Sequence, residues 1–393
     1  MQQRVILFLC FSFLLLFCVD TVANELDLPD PLVTQDGVEV TTPEQWQETR
    51  RPEILELFRE HVYGRAPIGR PSDQQFVPAD TVPDAMHGTA TRKRVDITFS
   101  GSGGKGSIRL LLFVPNETPR PVPAFLLICH RDSENIDPTR EIKKPFWPAE
   151  RIVRRGYAAA TFQVADVDPD KHDEFQNGVH GIFDPQDRER DPDAWGTICA
   201  WAWGAARCLD YLETDADIDA KHVAVIGHSR GGKTALWCGA RDQRFAMAIS
   251  NNSGCTGAAI ARRRKGETIK DINRGFPHWF CENYNKYNDN EDKLPVDQHM
   301  LVALMAPRPV CVASATRDNW ADPKGEFLAC VHASPVYELF DLKDPTTTEM
   351  PQPNLPLQDG HISYHLRKGG HDLGLYDWDR YMDFADKHWG NTK

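Results

Sequence analysis

Three residues combine the types and the order needed for nucleophilic acyl chemistry: Ser229, Asp318 and His371. Ser229 is the centre of Gly227-His228-Ser229-Arg230-Gly231, a G-x-S-x-G pattern. In that pattern a strained strand-to-helix turn lifts the serine hydroxyl out of the sheet, where a histidine can deprotonate it. The same run continues through Gly232-Lys233-Thr234 and also satisfies G-x-x-x-x-G-K-[ST], whose backbone cradles phosphates while the lysine reaches them. Both motifs need a strand before and a helix after, so local context does not choose between them. The rest of the chain favours the serine. An apolar run at 310–315 leads into Thr316-Arg317-Asp318-Asn319-Trp320-Ala321-Asp322, which puts Asp318 at the carboxyl edge of a strand, with Asp322 in reserve. A further strand at 361–367 ends in Lys368-Gly369-Gly370-His371, where the glycines allow a tight turn that aims an imidazole at Ser229. His361 and His365 lie within that strand and read as packing residues, as does His228 at the second position of the elbow.

The elements that must position these groups follow from hydrophobic period. Val95, Ile97 and Phe99 alternate, a glycine-rich turn occupies 101–106, and 108–114 is apolar, which predicts a β-hairpin. Apolar strands at 124–129, 157–164, 222–226, 245–250 and 310–315 then alternate with helical segments, the signature of a parallel sheet. One helix is predicted over 194–213, and the last carries Trp378, Met382, Ala385 and Trp389 on one face. Ahead of the hairpin, residues 24–90 read as a wrapping segment. Within it, Pro52 opens a helix with Ile54, Leu55, Phe58 and Val62 on one face, stopped by Gly64. The connections 166–193 and 262–290 are too long to be simple loops and are expected to shape a substrate rim. The basic run Arg262-Arg263-Arg264-Lys265 reads as a solvated helix face.

Residues 5–19 form an almost unbroken apolar stretch of fifteen residues, followed by Thr21-Val22-Ala23. This predicts a signal peptide over 1–23 and export to the periplasm or the medium, the stretch being short for a bilayer span. Export weighs against a nucleotide-binding role. Removing the leader leaves eight of ten cysteines. That is too sparse for a disulfide scaffold, and their apolar neighbours suit small buried thiols better than bridges. The formal net charge of −12 argues against a nucleic-acid or anionic-membrane partner. No H-e-x-x-H or comparable spacing supports a metal centre.

Taken together, the chain resembles carbohydrate esterase family 15, the glucuronoyl esterases, in its bacterial branch. The resemblance rests on Gly227-His228-Ser229-Arg230-Gly231-Gly232-Lys233, on Ser253-Gly254-Cys255-Thr256-Gly257-Ala258-Ala259 with Gly266-Glu267, on Phe276-Pro277-His278-Trp279-Phe280, on Asp318-Asn319-Trp320 and on Gly369-Gly370-His371. It implies an α/β-hydrolase, a three-layer α/β/α sandwich with a mostly parallel twisted sheet, formed by residues 24–393 as one catalytic domain. It implies a cofactor-free monomer that cleaves the ester between (4-O-methyl-)glucuronate of xylan and a lignin alcohol. Ser229 is then the nucleophile, His371 the base, Asp318 the acid and Arg230 the oxyanion donor. Lys233, Glu267 and Trp320 fall where the family contacts the uronic acid.

Two departures stand out. Many members, the fungal ones especially, carry a glutamate after the strand that here ends in Ser250-Asn251-Asn252-Ser253, so the triad depends on Asp318. The HGGG-type oxyanion segment is replaced by Cys129-His130-Arg131-Asp132. The rival reading on the same fold is an acetyl-xylan or other carbohydrate esterase, which needs Ser229 and His371 but not Lys233 or Glu267. A catalytically silent carbohydrate-binding relative is disfavoured by the intact serine, acid and histidine.

Overall fold

The computed structural model describes residues 26–185, 188–342, 347 and 349–390, so the signal peptide predicted over 1–23 lies outside the described residues. Alternation places one face of the predicted hairpin in the core. Strand β1 spans Gln75–Ala85, β2 spans Ala90–Gly101 and β3 spans Gly104–Pro115, and the three form an antiparallel meander with Val95 opposite Leu110 and Ile97 opposite Ile108. β1 lies in the expected wrapping segment 24–90, where no strand is predicted. Its Pro78, Pro83, Asp80 and Asp84 mask the strand pattern, and its register slips between Pro78 and Asp80. Proline is tolerated there because β1 is the sheet edge.

The remaining strands are β4 (Val122–Cys129), β5 (Ala158–Gln163), β6 (Ile218–His228), β7 (Met247–Asn251), β8 (Val310–Ala315) and β9 (Ile362–Arg367). They complete a nine-stranded sheet in the order β1-β2-β3-β5-β4-β6-β7-β8-β9, parallel from β5 to β9. Both faces are covered, which explains the continuous apolar runs. Leu126 and Ile128 join a core with Trp201, Trp203 and Trp237, while Phe125 and Leu127 join the opposite core with Trp147, Trp378 and Met382. This is the expected three-layer arrangement. All eight described cysteines are buried as thiols within it.

The amino-terminal helix begins earlier than Pro52. Thr42 caps it at Pro43, and wide turns over Trp46–Arg50 and Arg59–Tyr63 flank the regular stretch Arg51–Phe58. Proline is accommodated in the first turn after the wide one, where its missing N–H costs little. The helix ends at Gly64, whose φ of +84° and approach to the Ala194 carbonyl leave no room for a Cβ. The basic run is solvated only at Arg264 and Lys265, beyond a single short turn at Ala261–Arg263, and its arginines are ion-paired. Arg262 binds Asp297 and the Leu294 carbonyl, Arg263 pairs with Asp322, and Arg264 pairs with Glu291 and Asp292. These carboxylates are remote in sequence, so charge pattern alone did not reveal them.

Candidate active site

β6 delivers Ser229 at its carboxyl end, and the helix Arg230–Arg241 leaves immediately after it. Ser229 has φ 56° and ψ −124°, a conformation that costs a non-glycine residue about 1–3 kcal/mol and persists only when its surroundings enforce it. Three backbone bonds do so: Ser229 N–H donates to the Asn251 carbonyl at 2.9 Å, and the Ser229 carbonyl accepts from Gly232 at 2.8 Å and Lys233 at 3.1 Å. A Cβ on Gly227 would lie 1.9 Å from the Gly231 carbonyl, which explains the glycine two places before the serine.

His371 follows β9 and sits over this elbow, its ring 4.5 Å from that of His228. Its Nδ1 meets Asp318 Oδ2 at 2.6 Å. The same oxygen accepts from Asn252 Nδ2 at 2.7 Å. Burial pushes the Asp318 carboxyl up, but the His371 hydrogen bond and charge, with the Asn252 amide, together hold it below its ordinary value. His228 is buried with Nδ1 against Asn251 Oδ1 at 2.7 Å, and burial holds it well below the ordinary histidine range. His130 is held at about 3 by burial, then by the charges of Arg230 and Arg131. Both are therefore neutral imidazoles beside His371. Asp322 is engaged elsewhere: Arg263 Nε donates to it at 2.7 Å.

Arg230 is fixed from two sides. Its Nη1 pairs with Asp170, and its guanidinium lies 4.7 Å from the Trp279 ring centroid and 5.1 Å from that of Phe276. Those two rings are themselves stacked at 3.7 Å. Asp170 accepts from Trp279 Nε1 at 2.8 Å and meets His278 Nε2 at 3.1 Å. Burial opposes its charge, but the His278 and Trp279 bonds and Arg230 hold its carboxyl down at about 2. The two long insertions thus converge on one arginine. Asp170 escaped the sequence reading; its signal was an acidic segment, Asp166-Val167-Asp168-Pro169-Asp170, inside an overlong connection.

Lys233 and Glu267 are brought together at 3.5 Å, and the Glu267 N–H donates to the Trp320 carbonyl at 2.9 Å. Lys233 is only 3% exposed, and its Nζ donates to the carbonyls of Ser253 (2.6 Å) and Cys255. It tethers the turn after β7 as well as adjoining Glu267. Trp320, by contrast, is 58% exposed and offers an open indole face. A strained serine, a histidine bonded to a buried carboxylate and a pinned guanidinium make an arrangement suited to acyl transfer from an ester. Among the described residues no group of His, Cys, Asp and Glu side chains could hold a metal ion.

A family profile described as glucuronyl esterase of fungi matches residues 142–341. The chain is 43% identical over 390 residues to carbohydrate esterase MZ0003 from an unknown prokaryotic organism, covering 92% of this chain and 89% of that one. It is 28% identical over 320 residues to the 4-O-methyl-glucuronoyl methylesterase of Schizophyllum commune, covering 79% and 73% of the respective chains. The solved glucuronoyl esterase from Solibacter usitatus superposes with a TM-score of 0.87 at 41% identity over 92% of this chain and 98% of that one. A structure described as a promiscuous CE15 esterase from the marine bacterial metagenome does so with a TM-score of 0.83 at 42% identity, covering 93% and 97%.

Proposed function

The chain belongs to carbohydrate esterase family 15, the α/β-hydrolase glucuronoyl esterases, and from that premise we propose how its own residues cleave an ester of (4-O-methyl-)glucuronate with a lignin alcohol. Ser229 Oγ attacks the uronate carbonyl while His371 takes its proton through Nε2, Nδ1 being committed to Asp318 at 2.6 Å. Asp318 holds the ring in that tautomer and stabilises the imidazolium. The tetrahedral oxyanion is met by the Arg230 guanidinium and by its backbone N–H, which opens a helix and so lacks an intrahelical partner. Because Asp170, Phe276 and Trp279 already fix the guanidinium, little reorganisation accompanies charge development. His371 then protonates the departing alcohol. A glucuronoyl-serine remains, and water activated by His371 hydrolyses it by the reverse sequence.

The observation that carries this reading is the His371–Asp318 contact beside a serine in the elbow conformation, with Arg230 on the helix that starts there. On the substrate side, the exposed Trp320 faces the sugar ring, and Glu267, with Lys233 beside it, receives its hydroxyls. The apolar leader with its small-residue cleavage pattern supports export, where plant cell-wall polymers are met. Among the described residues no helix is long and apolar enough to cross a membrane. Purified enzyme should hydrolyse benzyl or methyl glucuronate and leave acetylated xylan largely intact. Preferential deacetylation would replace this reading with the acetyl-xylan one, a control made pertinent by the relative described as promiscuous.

A further inference from the structure

Glu326 lies in the first turn of the helix Pro323–Glu338 and is fully buried. A carboxyl with no solvent must be satisfied by protein donors or it destabilises the fold. Its Oε1 accepts from the backbone N–H of Ser253 at 2.8 Å, the N–H of Gly254 at 2.9 Å and Ser253 Oγ at 3.1 Å. Its Oε2 meets Ser314 Oγ at 2.6 Å. These partners are not scattered. Ser253 and Gly254 follow Asn252 at the end of β7, and Ser314 is the penultimate residue of β8, four positions before Asp318. One buried side chain therefore fastens together the two strand ends that carry Asn252 and Asp318. The same turn supplies the Ser253 and Cys255 carbonyls that receive Lys233.

We infer that Glu326 is a positioning residue for the acid of the triad, holding the β7 and β8 ends in the register that lets Asn252 and His371 share one Asp318 oxygen. The inference rests on the triad proposed above. Glu326 acts through backbone amides and Ser314, not through the substrate. Burial, opposed by its bonds from Ser314, Gly254 and Ser253, pushes its carboxyl up to about 7. A carboxyl protonated at Oε2 still accepts at Oε1, so the fastening depends on bond geometry rather than charge. Glutamine reproduces that geometry: its carbonyl can face Ser253 and Gly254, and its amide can donate to Ser314 Oγ. Alanine leaves two buried N–H groups unpaired.

The test compares Glu326→Gln, Glu326→Ala and Ser314→Ala on a glucuronate ester, alongside the downfield proton resonance of the short His371–Asp318 hydrogen bond. Glu326→Gln should keep kcat within about threefold of the parent and retain the resonance. Glu326→Ala should lose on the order of a hundredfold in kcat with KM little changed, and the resonance should weaken or move upfield. If Glu326→Ala does not fold, Ser314→Ala decides: a roughly three- to tenfold loss in kcat with a shifted resonance supports the role. Wild-type kcat and an unmoved resonance in folded Glu326→Ala, or in Ser314→Ala where the former is insoluble, would overturn it. Asp318→Asn serves as the separate control. If that change leaves the resonance in place, the triad assignment fails rather than the role of Glu326.

Discussion

Asn252 and His371 meet the same oxygen of Asp318, Oδ2, at 2.7 and 2.6 Å. The end of β7 contributes a neutral amide that orients a carboxylate delivered by β8. The amide also helps hold Asp318 below its ordinary range. A depressed carboxylate pKa keeps the group ionised as pH falls, so losing the amide raises the pH at which Asp318 takes up its proton. Asn252→Ala should lower kcat by roughly tenfold, the scale of one charge-assisted bond. It should also raise the pH at which the Asp318 carboxyl titrates, read by NMR of the isotopically labelled carboxyl. An unmoved carboxyl titration would mean that the amide does not govern the acid.

The acid assignment separates two aspartates four residues apart. Asp318→Asn should cost several orders of magnitude in kcat, as should Ser229→Ala and His371→Ala, with the fold retained in all three. Asp322→Asn should behave differently, because Asp322 is committed to Arg263. It should lower the melting temperature, by a loss of about 1–3 kcal/mol, while kcat stays within about twofold. Kinetics and thermal melts on the same preparations check both, and a reversed ranking would transfer the acid role to Asp322.

Arg230 and Asp170 give a prediction that separates transition-state from ground-state binding. Arg230→Ala should lower kcat rather than only raise KM, since an oxyanion contact strengthens as charge develops. Asp170→Asn should lower kcat in the same sense by about tenfold, through a guanidinium no longer pinned. Stability carries an independent signature. The Asp170 carboxyl stands at about 2 in the folded protein, below its ordinary value. Its contribution, about 2–3 kcal/mol, is therefore present above about pH 4 and is lost as pH falls toward 2. Urea denaturation should show the penalty of Asp170→Asn at pH 7 shrinking at pH 3.

The sugar-side residues should not behave alike. Trp320→Ala removes an exposed ring and should raise KM for glucuronate esters with little effect on melting. Glu267→Ala should lower kcat/KM by about tenfold on glucuronate esters and hardly at all on a small acyl ester without sugar hydroxyls. Lys233→Ala removes a buried tether of the turn after β7, so its loss should extend to the small ester as well. Equal selectivity of the Lys233 and Glu267 variants would show that the tether is dispensable.

The sheet from β4 to β8 was legible because strands buried on both faces write themselves as apolar runs, and Ser229, Asp318 and His371 stood out because each lies just past a strand end. β1 was hidden because an edge strand tolerates prolines and charges that an interior strand excludes. Asp170 and Glu326 were hidden for another reason. Each acts on a partner sixty or more positions away, Arg230 in one case and Ser253 in the other, a separation that no local window spans. Lys233 stands on the helix after the elbow and is buried, because the carbonyls that receive it arise only from the way the chain turns back after β7.

The eight described cysteines, spread from β4 to the helix after β8, are all buried. Burial pushes Cys129, Cys255 and Cys281 each to about 12, far from the thiolate form that reacts. An alkylating reagent can therefore reach these sulfurs only when the fold opens, and the chain carries its own set of clocks. Where labelling of separate thiols proceeds at one common rate, that rate is the rate of global opening. Where Cys281, on the rim insertion, is modified before Cys311, within the central sheet, the insertion opens on its own, and the interval between the two measures how independently the substrate rim breathes above the scaffold that holds the chemistry.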